Sequence, residues 1–148
     1  MSTDMSDKLV EYYERRYPGK VKLIKHTEKK YAGGARNTGL KYDKYEADYI
    51  WFIDSDDRLY GNDVLQKIHD KIEKSGNPDI LRVGSAWQFK TGLSNKRAYS
   101  DLKFIIENTW HAPWWSCISS KFSDITFQEG LPIYNDALWF AKLLDRVD

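Results

Sequence analysis

A chain of 148 residues is one domain by size and long enough to bury a genuine core. Its 23 Lys plus Arg and 22 Asp plus Glu leave a net charge of +1, which excludes a protein held on nucleic acid or anionic lipid mainly by bulk charge. The lone cysteine, Cys117, excludes an internal disulfide framework, and no apolar run approaches the ~20 residues of a membrane span. With no signal-peptide core at the N-terminus, the expectation is a single cytoplasmic domain without a transmembrane segment. Aromatic residues reach 15%, including six Trp and ten Tyr, rings that suit binding surfaces as well as cores.

In chain order, residues 4–17 read as a helix capped by Asp4 or Ser6, with Leu9, Val10, Tyr13 and Tyr17 on one face and Pro18-Gly19 as its stop. Val21–Lys25 reads as a short strand. Residues 26–34 read as a polar loop ending in Gly33-Gly34, with a helix from Ala35. Tyr49-Ile50-Trp51-Phe52-Ile53 is an almost continuous apolar run, the pattern of a strand buried on both faces. It leads directly into Asp54-Ser55-Asp56-Asp57. Residues 62–75 predict a helix capped by Asn62 or Asp63, with Leu65, Ile68 and Ile72 as its buried stripe and Gly76 as its end. Residues 79–89 read as a strand followed by a polar hairpin-like stretch to about residue 99. Ser100 caps a short helix with Leu102, Ile105 and Ile106. The Trp-rich segment 110–122 has no clear periodicity. Residues 135–146, apolar on most sides through Ala137, Leu138, Trp139, Phe140, Ala141, Leu143 and Leu144, predict a buried helix. Helices alternating with short apolar strands predict an α/β sandwich with a mostly parallel sheet. Residues 8–31 carry eight Lys/Arg against three Asp/Glu, and residues 124–148 two against five; the plain reading is solvated helix faces.

The strongest chemical feature is the carboxylate cluster at the end of the apolar strand. Ligands of open α/β sheets bind beyond the carboxyl ends of strands. Three carboxylates in four residues repel one another unless a positive group sits among them. Mg²⁺ and Mn²⁺ prefer oxygen ligands of this kind and bridge to substrate phosphates. The alternative is an Asp-rich turn in which Asp57 or Asn62 serves as a cap. An EF-hand starting at Asp54 fails, because Arg58, Leu59 and Leu65 stand where it needs a polar ligand, Gly and Glu. A dehalogenase-type phosphatase wants Thr or Val where Arg58 stands. The second feature is Gly33-Gly34-Ala35-Arg36-Asn37-Thr38-Gly39-Leu40. Glycines before a helix let its free N–H groups approach an anion, and Arg36 adds a positive fork.

Together these runs resemble the inverting family-2 glycosyltransferases of the GT-A fold, which carry G-x-A-R-N-x-G-L and then an apolar strand ending in D-x-D-D. The C-terminal part agrees: Pro113-Trp114, Lys121-Phe122, Phe127-Gln128-Glu129-Gly130 and Tyr134-Asn135-Asp136 look like the family's acceptor-side region. That region ends in a Glu-Asp pair opening a helix, so Asn135 departs from the pattern while Asp136 keeps it. The resemblance implies a metal-dependent, inverting transfer of a sugar from a nucleotide diphosphate sugar, a UDP-sugar foremost, to a glycan or other acceptor hydroxyl. By resemblance Asp136 is the catalytic base, Asp56 holds Mn²⁺ or Mg²⁺ in an Asp-x-Asp motif, and Asp54 contacts the metal or the donor ribose. Gly34, Arg36 and Asn37 fall on the donor side, and Trp114, Trp115 and Asn135 on the acceptor side. Trp110 can stack on a sugar ring in the same region, and His111 can reach metal or diphosphate; the plainer reading of His26, His69 and His111 is surface or satisfied histidines. Cys117 has no nearby base and reads as a buried small residue.

Family members open with a strand, a helix and a second strand ending Asp-Asp-Gly, followed by Ser-Thr-Asp. Here Ser2-Thr3-Asp4 matches that tail and Met1 stands in place of the glycine. The resemblance therefore implies that residues 1–148 form one GT-A-like domain lacking a first βαβ unit of about 30 residues. It also implies a homo-oligomer, or a partner chain that completes the sheet, since an apolar edge such as Tyr49–Ile53 must be covered. The rival function is a non-catalytic remnant or binding module, and a mixed case is one piece of a split glycosyltransferase.

Overall fold

A computed structural model describes residues 4–42, 46–84, 88–89, 92–93, 112–132 and 135–147. Among them are four α-helices: α1 (Ser6–Arg16), α2 (Tyr31–Lys41), α3 (Val64–Lys74) and α4 (Asn135–Leu144). The strands are β1 (Tyr49–Trp51), β2 (Ile80–Arg82), β3 (Gln88–Phe89), β4 (Gly92–Leu93) and β5 (Ser116–Ser119). Short 3₁₀ turns at Pro113–Trp115 and Ser120–Phe122 flank β5. The expected helix after Ser100, together with Trp110 and His111, lies outside the described residues.

The main sheet has the order β1-β5-β2, and both pairings are antiparallel. Ile50 and Ile80 both stand opposite Ile118, and Trp51 and Leu81 opposite Cys117. This corrects the expected mostly parallel sheet. The β–α–β pattern of residues 49–82 is real, since β1 and β2 run in the same direction with α3 between them. Strand β5, arriving from the far end of the chain, separates them and runs against both. β3 and β4 pair antiparallel in a separate two-stranded sheet; the described residues of the strand expected over 79–89 hold β2 and β3, and most of the expected hairpin-like stretch lies outside the described residues.

The core lies where the sheet meets α4 and the 122–127 segment. Leu40, Ile118, Phe122, Ile125, Phe127, Trp139, Phe140 and Leu143 are buried together, with Ile50, Phe52 and Ile80 packed against them. Trp139 stacks on Phe127 at 4.8 Å and 6° and meets Phe52 edge-on at 5.9 Å, and its indole N–H donates to the Ile125 carbonyl at 2.9 Å. Cys117 is buried as expected, and burial pushes its thiol up to about 12, which leaves it unreactive.

Several expected elements differ. Val21–Lys25 forms no ladder, because no described strand lies beside it; it is irregular chain tied to α1 by Lys22–Glu14 at 2.8 Å and Lys25–Glu11 at 2.6 Å. Helix α1 forms, but none of its residues is buried and Leu9, Tyr13 and Tyr17 are exposed. Helix α2 starts at Tyr31 rather than Ala35, so Gly33 and Gly34 lie inside its first turn. Strand β1 is half-buried rather than buried on both faces: Ile50 and Phe52 reach the core while Ile53 is exposed. In α3, Ile72 is buried and Ile68 half-buried, but Leu65 faces solvent; Asp63 pairs with Lys67 instead of capping, and Gly76 ends the helix at φ +71°. Helix α4 is buried on one face only, with Ala137, Leu138 and Ala141 exposed.

Candidate active site

Three elements converge beyond the carboxyl end of β1. The strand runs out at Trp51, whose indole N–H donates to the Trp114 carbonyl at 2.8 Å and ties the strand to the 113–115 turn. Three residues on, Asp54 begins a tight turn closed by the Asp57 N–H donating to the Asp54 carbonyl at 3.0 Å. Carboxylate oxygens of Asp54, Asp56 and Asp57 all lie within 4.8 Å of one another. Burial, then the Asp56 and Asp54 charges, raises the Asp57 carboxyl above its ordinary value. Hard oxygen donors this close fit a divalent metal ion in charge and chemistry.

Arg36 reaches this turn from α2. Its guanidinium is almost fully buried and donates to Asp54 Oδ1 at 2.8 Å and to Asp136 Oδ1 at 2.6 Å. Asp136 sits in the first turn of α4, 100 residues from Arg36 in the chain. Burial raises its carboxyl above the ordinary value, Arg36 opposes that rise, and Asp54 adds to it. The guanidinium also lies 5.3 Å from the Phe127 ring and 5.9 Å from Trp114. Small residues of α2 (Ala32, Ala35 and Gly39) border, with Phe52 and Ile53, an open cleft of about 310 Å³ beside Arg36 and Asp54. A larger hollow of about 450 Å³ lies on another side of α2, lined by Lys22, Lys25 and Lys41, and touches none of these carboxylates.

The family model for glycosyl transferase family 2 matches residues 1–124. The chain belongs to that family. It is also 25% identical over 158 residues to the minor teichoic acid biosynthesis protein GgaA of Bacillus subtilis (strain 168), covering 97% of this chain and 34% of that protein. The chain thus spans about a third of that relative's length. No solved structure matches. Among the described residues no helix is long and apolar enough to cross a membrane.

The remaining predicted site residues fall as follows in this family 2 chain. Asn37 is buried, and its amide is spent on the 127–129 segment: Nδ2 donates to the Phe127 carbonyl and Glu129 Oε1, and Oδ1 accepts from the Phe127 N–H at 2.8 Å. It thereby fixes Phe127 beneath Arg36 and does not face the cleft. The Gly34 N–H is used within the helix, donating to the Lys30 carbonyl at 3.1 Å, so it offers no free donor to an anion. Trp114 joins the site, whereas Trp115 turns toward Arg82, 5.8 Å from its ring. Asn135 is buried, donates to the Leu131 carbonyl at 2.9 Å, and lays its amide against Gly33. His26 meets Thr38 at 2.9 Å, a satisfied histidine away from the carboxylates.

Sequence reasoning singled out Asp57 with its neighbours, but gave no role to Phe127 under Arg36 or to Gly33 against Asn135. A Cβ on Gly33 would stand 2.6 Å from Asn135 Nδ2, so this glycine sets how closely α2 and α4 approach. Gly33→Ala is expected to cost roughly 1–3 kcal/mol by overpacking and to loosen the Arg36–Asp136 pair. Thermal unfolding checks it, and Asn135→Ala added to Gly33→Ala should recover most of the loss by removing the struck amide.

Proposed function

We propose that this chain catalyses inverting transfer of a sugar from a nucleotide diphosphate sugar to an acceptor hydroxyl, with a divalent cation held by Asp54 and Asp56 and with Asp57 beside them. The observation that carries this reading is the single guanidinium joining Asp54, in the turn beyond β1, to Asp136, at the start of α4. This supports reading Asp136 and the 54–57 carboxylates as parts of one site.

In this mechanism Asp136 accepts the proton of the acceptor hydroxyl as that oxygen attacks the anomeric carbon. When bound, Mn²⁺ or Mg²⁺ supplies positive charge to the departing nucleotide diphosphate. Arg36 holds Asp136 ionised and oriented, and the Phe127 ring beneath the guanidinium limits its freedom to swing away. Trp114, beside Arg36, offers a ring face to an acceptor sugar. A GT-A arrangement of the whole family domain and a UDP-sugar donor belong to the same proposal. Teichoic acid, from the name of the B. subtilis relative, is an acceptor to try first.

Asp56→Asn tests the metal arm, because a neutral amide is a much poorer ligand for a hard cation. With Mn²⁺ and nucleoside diphosphate at about 100 times their dissociation constants, the wild-type chain should gain roughly 2.7 kcal/mol of stability. The variant should gain little. Equal stabilisation of both in a thermal melt would remove Asp56 from the metal site.

A further inference from the structure

We propose that Arg36 is an internal competitor for the cation at Asp54, and that Asp136 sets how strongly it competes. The inference rests on the metal reading above. Asp54 is the one carboxylate of the 54–57 turn that Arg36 holds, through Oδ1 at 2.8 Å. A divalent ion arriving at that oxygen must displace a guanidinium N–H and then sit beside its positive charge. Arg36 cannot withdraw into solvent cheaply, because its side chain is only 9% exposed and is packed near Phe127 and Trp114. Among the described residues it has one other anionic partner, Asp136 Oδ1 at 2.6 Å. The cation and the base are therefore linked through a shared guanidinium: as the cation takes Asp54, Arg36 settles more fully on Asp136 and keeps it ionised and oriented. Arg36 acts here as a positioning residue rather than a catalytic one.

The sign of the effect separates this role from a scaffolding one. A purely structural Arg36 holds the carboxylates in place, and its loss weakens cation binding. An internal competitor does the opposite. Arg36→Gln should tighten binding of Mn²⁺ alone by roughly tenfold, the effect of one positive charge about 5 Å from a divalent ion in a water-like dielectric. Asp136→Asn should weaken it by about threefold, since Arg36 is then left to Asp54 alone. Arg36→Lys, which keeps the charge but cannot fork to both carboxylates, should fall between Arg36→Gln and wild type.

Mn²⁺ titration of the purified chain, followed by electron paramagnetic resonance of the free ion, reads wild type, these three variants and Asp56→Asn without any transfer assay. Circular dichroism melts show which of them are folded. Unchanged or weaker Mn²⁺ binding by folded Arg36→Gln overturns the proposal. If that variant does not fold, unchanged or tighter binding by Asp136→Asn overturns it instead. Wild-type binding that depends on Asp56 but ignores Arg36 sinks the competition and leaves the metal reading standing. Absence of Mn²⁺ binding in wild type and Arg36→Gln alike sinks both.

Discussion

Asp136→Asn is expected to lower sugar transfer by roughly 10²–10⁴-fold while changing nucleotide-sugar affinity by no more than about threefold. A general base acts only as the acceptor proton moves, so its loss falls on the chemical step. The amide is close in shape to the carboxylate and can still lie against Arg36, so the fold of α4 should survive. Asp136 is held by two opposed influences: burial raises its carboxyl and the guanidinium at 2.6 Å opposes the rise. The acidic limb of the rate profile follows from this. Transfer should rise with pH as Asp136 loses its proton, and the Asn variant should lack that limb. Binding of the donor by calorimetry, set beside transfer of a radiolabelled sugar, checks both halves. Transfer at close to the wild-type rate would show that another group takes the proton.

The site was only partly legible in the chain. Residues 54–57 could be singled out because three carboxylates in four positions need a positive partner, and that chemistry is local. Arg36 could be noted as a positive fork, but its partners could not. Asp136 lies 100 residues away, and the pair exists only because α4 closes over the sheet against α2. Gly33 illustrates the same limit. Two adjacent glycines read as a turn before a helix, whereas in the fold Gly33 is inside the helix, bare because the Asn135 amide presses on it.

The fold was legible where one helix face decides the pattern and illegible where distant strands meet. Gly76 marks the end of α3 because it adopts a left-handed φ of +71°, and Ile72 is buried as its spacing requires. The antiparallel sheet could not be read, since β5 lies within the Trp-rich segment, which has no clear periodicity, and enters between two strands already joined by a crossover helix. Val21–Lys25 has a strand's composition, but a strand needs a neighbour. Its lysines instead bind the acidic residues of α1, and that helix keeps Leu9, Tyr13 and Tyr17 in solvent.

Trp139→Ala should be the most damaging single change to stability, costing about 3–5 kcal/mol. A domain of this size commonly has only ~5–15 kcal/mol in total, so the melting temperature should fall by about 10 °C or more. Trp139 is 1% exposed and carries three independent contributions: the stack on Phe127, the edge contact with Phe52, and the indole bond to the Ile125 carbonyl. Alanine removes all three and leaves a cavity between α4 and the 125–127 segment. Trp139→Phe keeps the stack and forfeits the bond, so it should cost nearer 1–2 kcal/mol. The loss should also reach the site, because Phe127 lies between Trp139 and the Arg36 guanidinium, 4.8 Å from one and 5.3 Å from the other. Once Phe127 can drop into the cavity, Arg36 loses the ring that confines it, and its hold on Asp54 and Asp136 loosens. Denaturant unfolding of both variants, with transfer assayed well below the lowered melting point, separates the two effects. A destabilisation under about 1 kcal/mol would mean that the stack is not what holds α4 to the sheet.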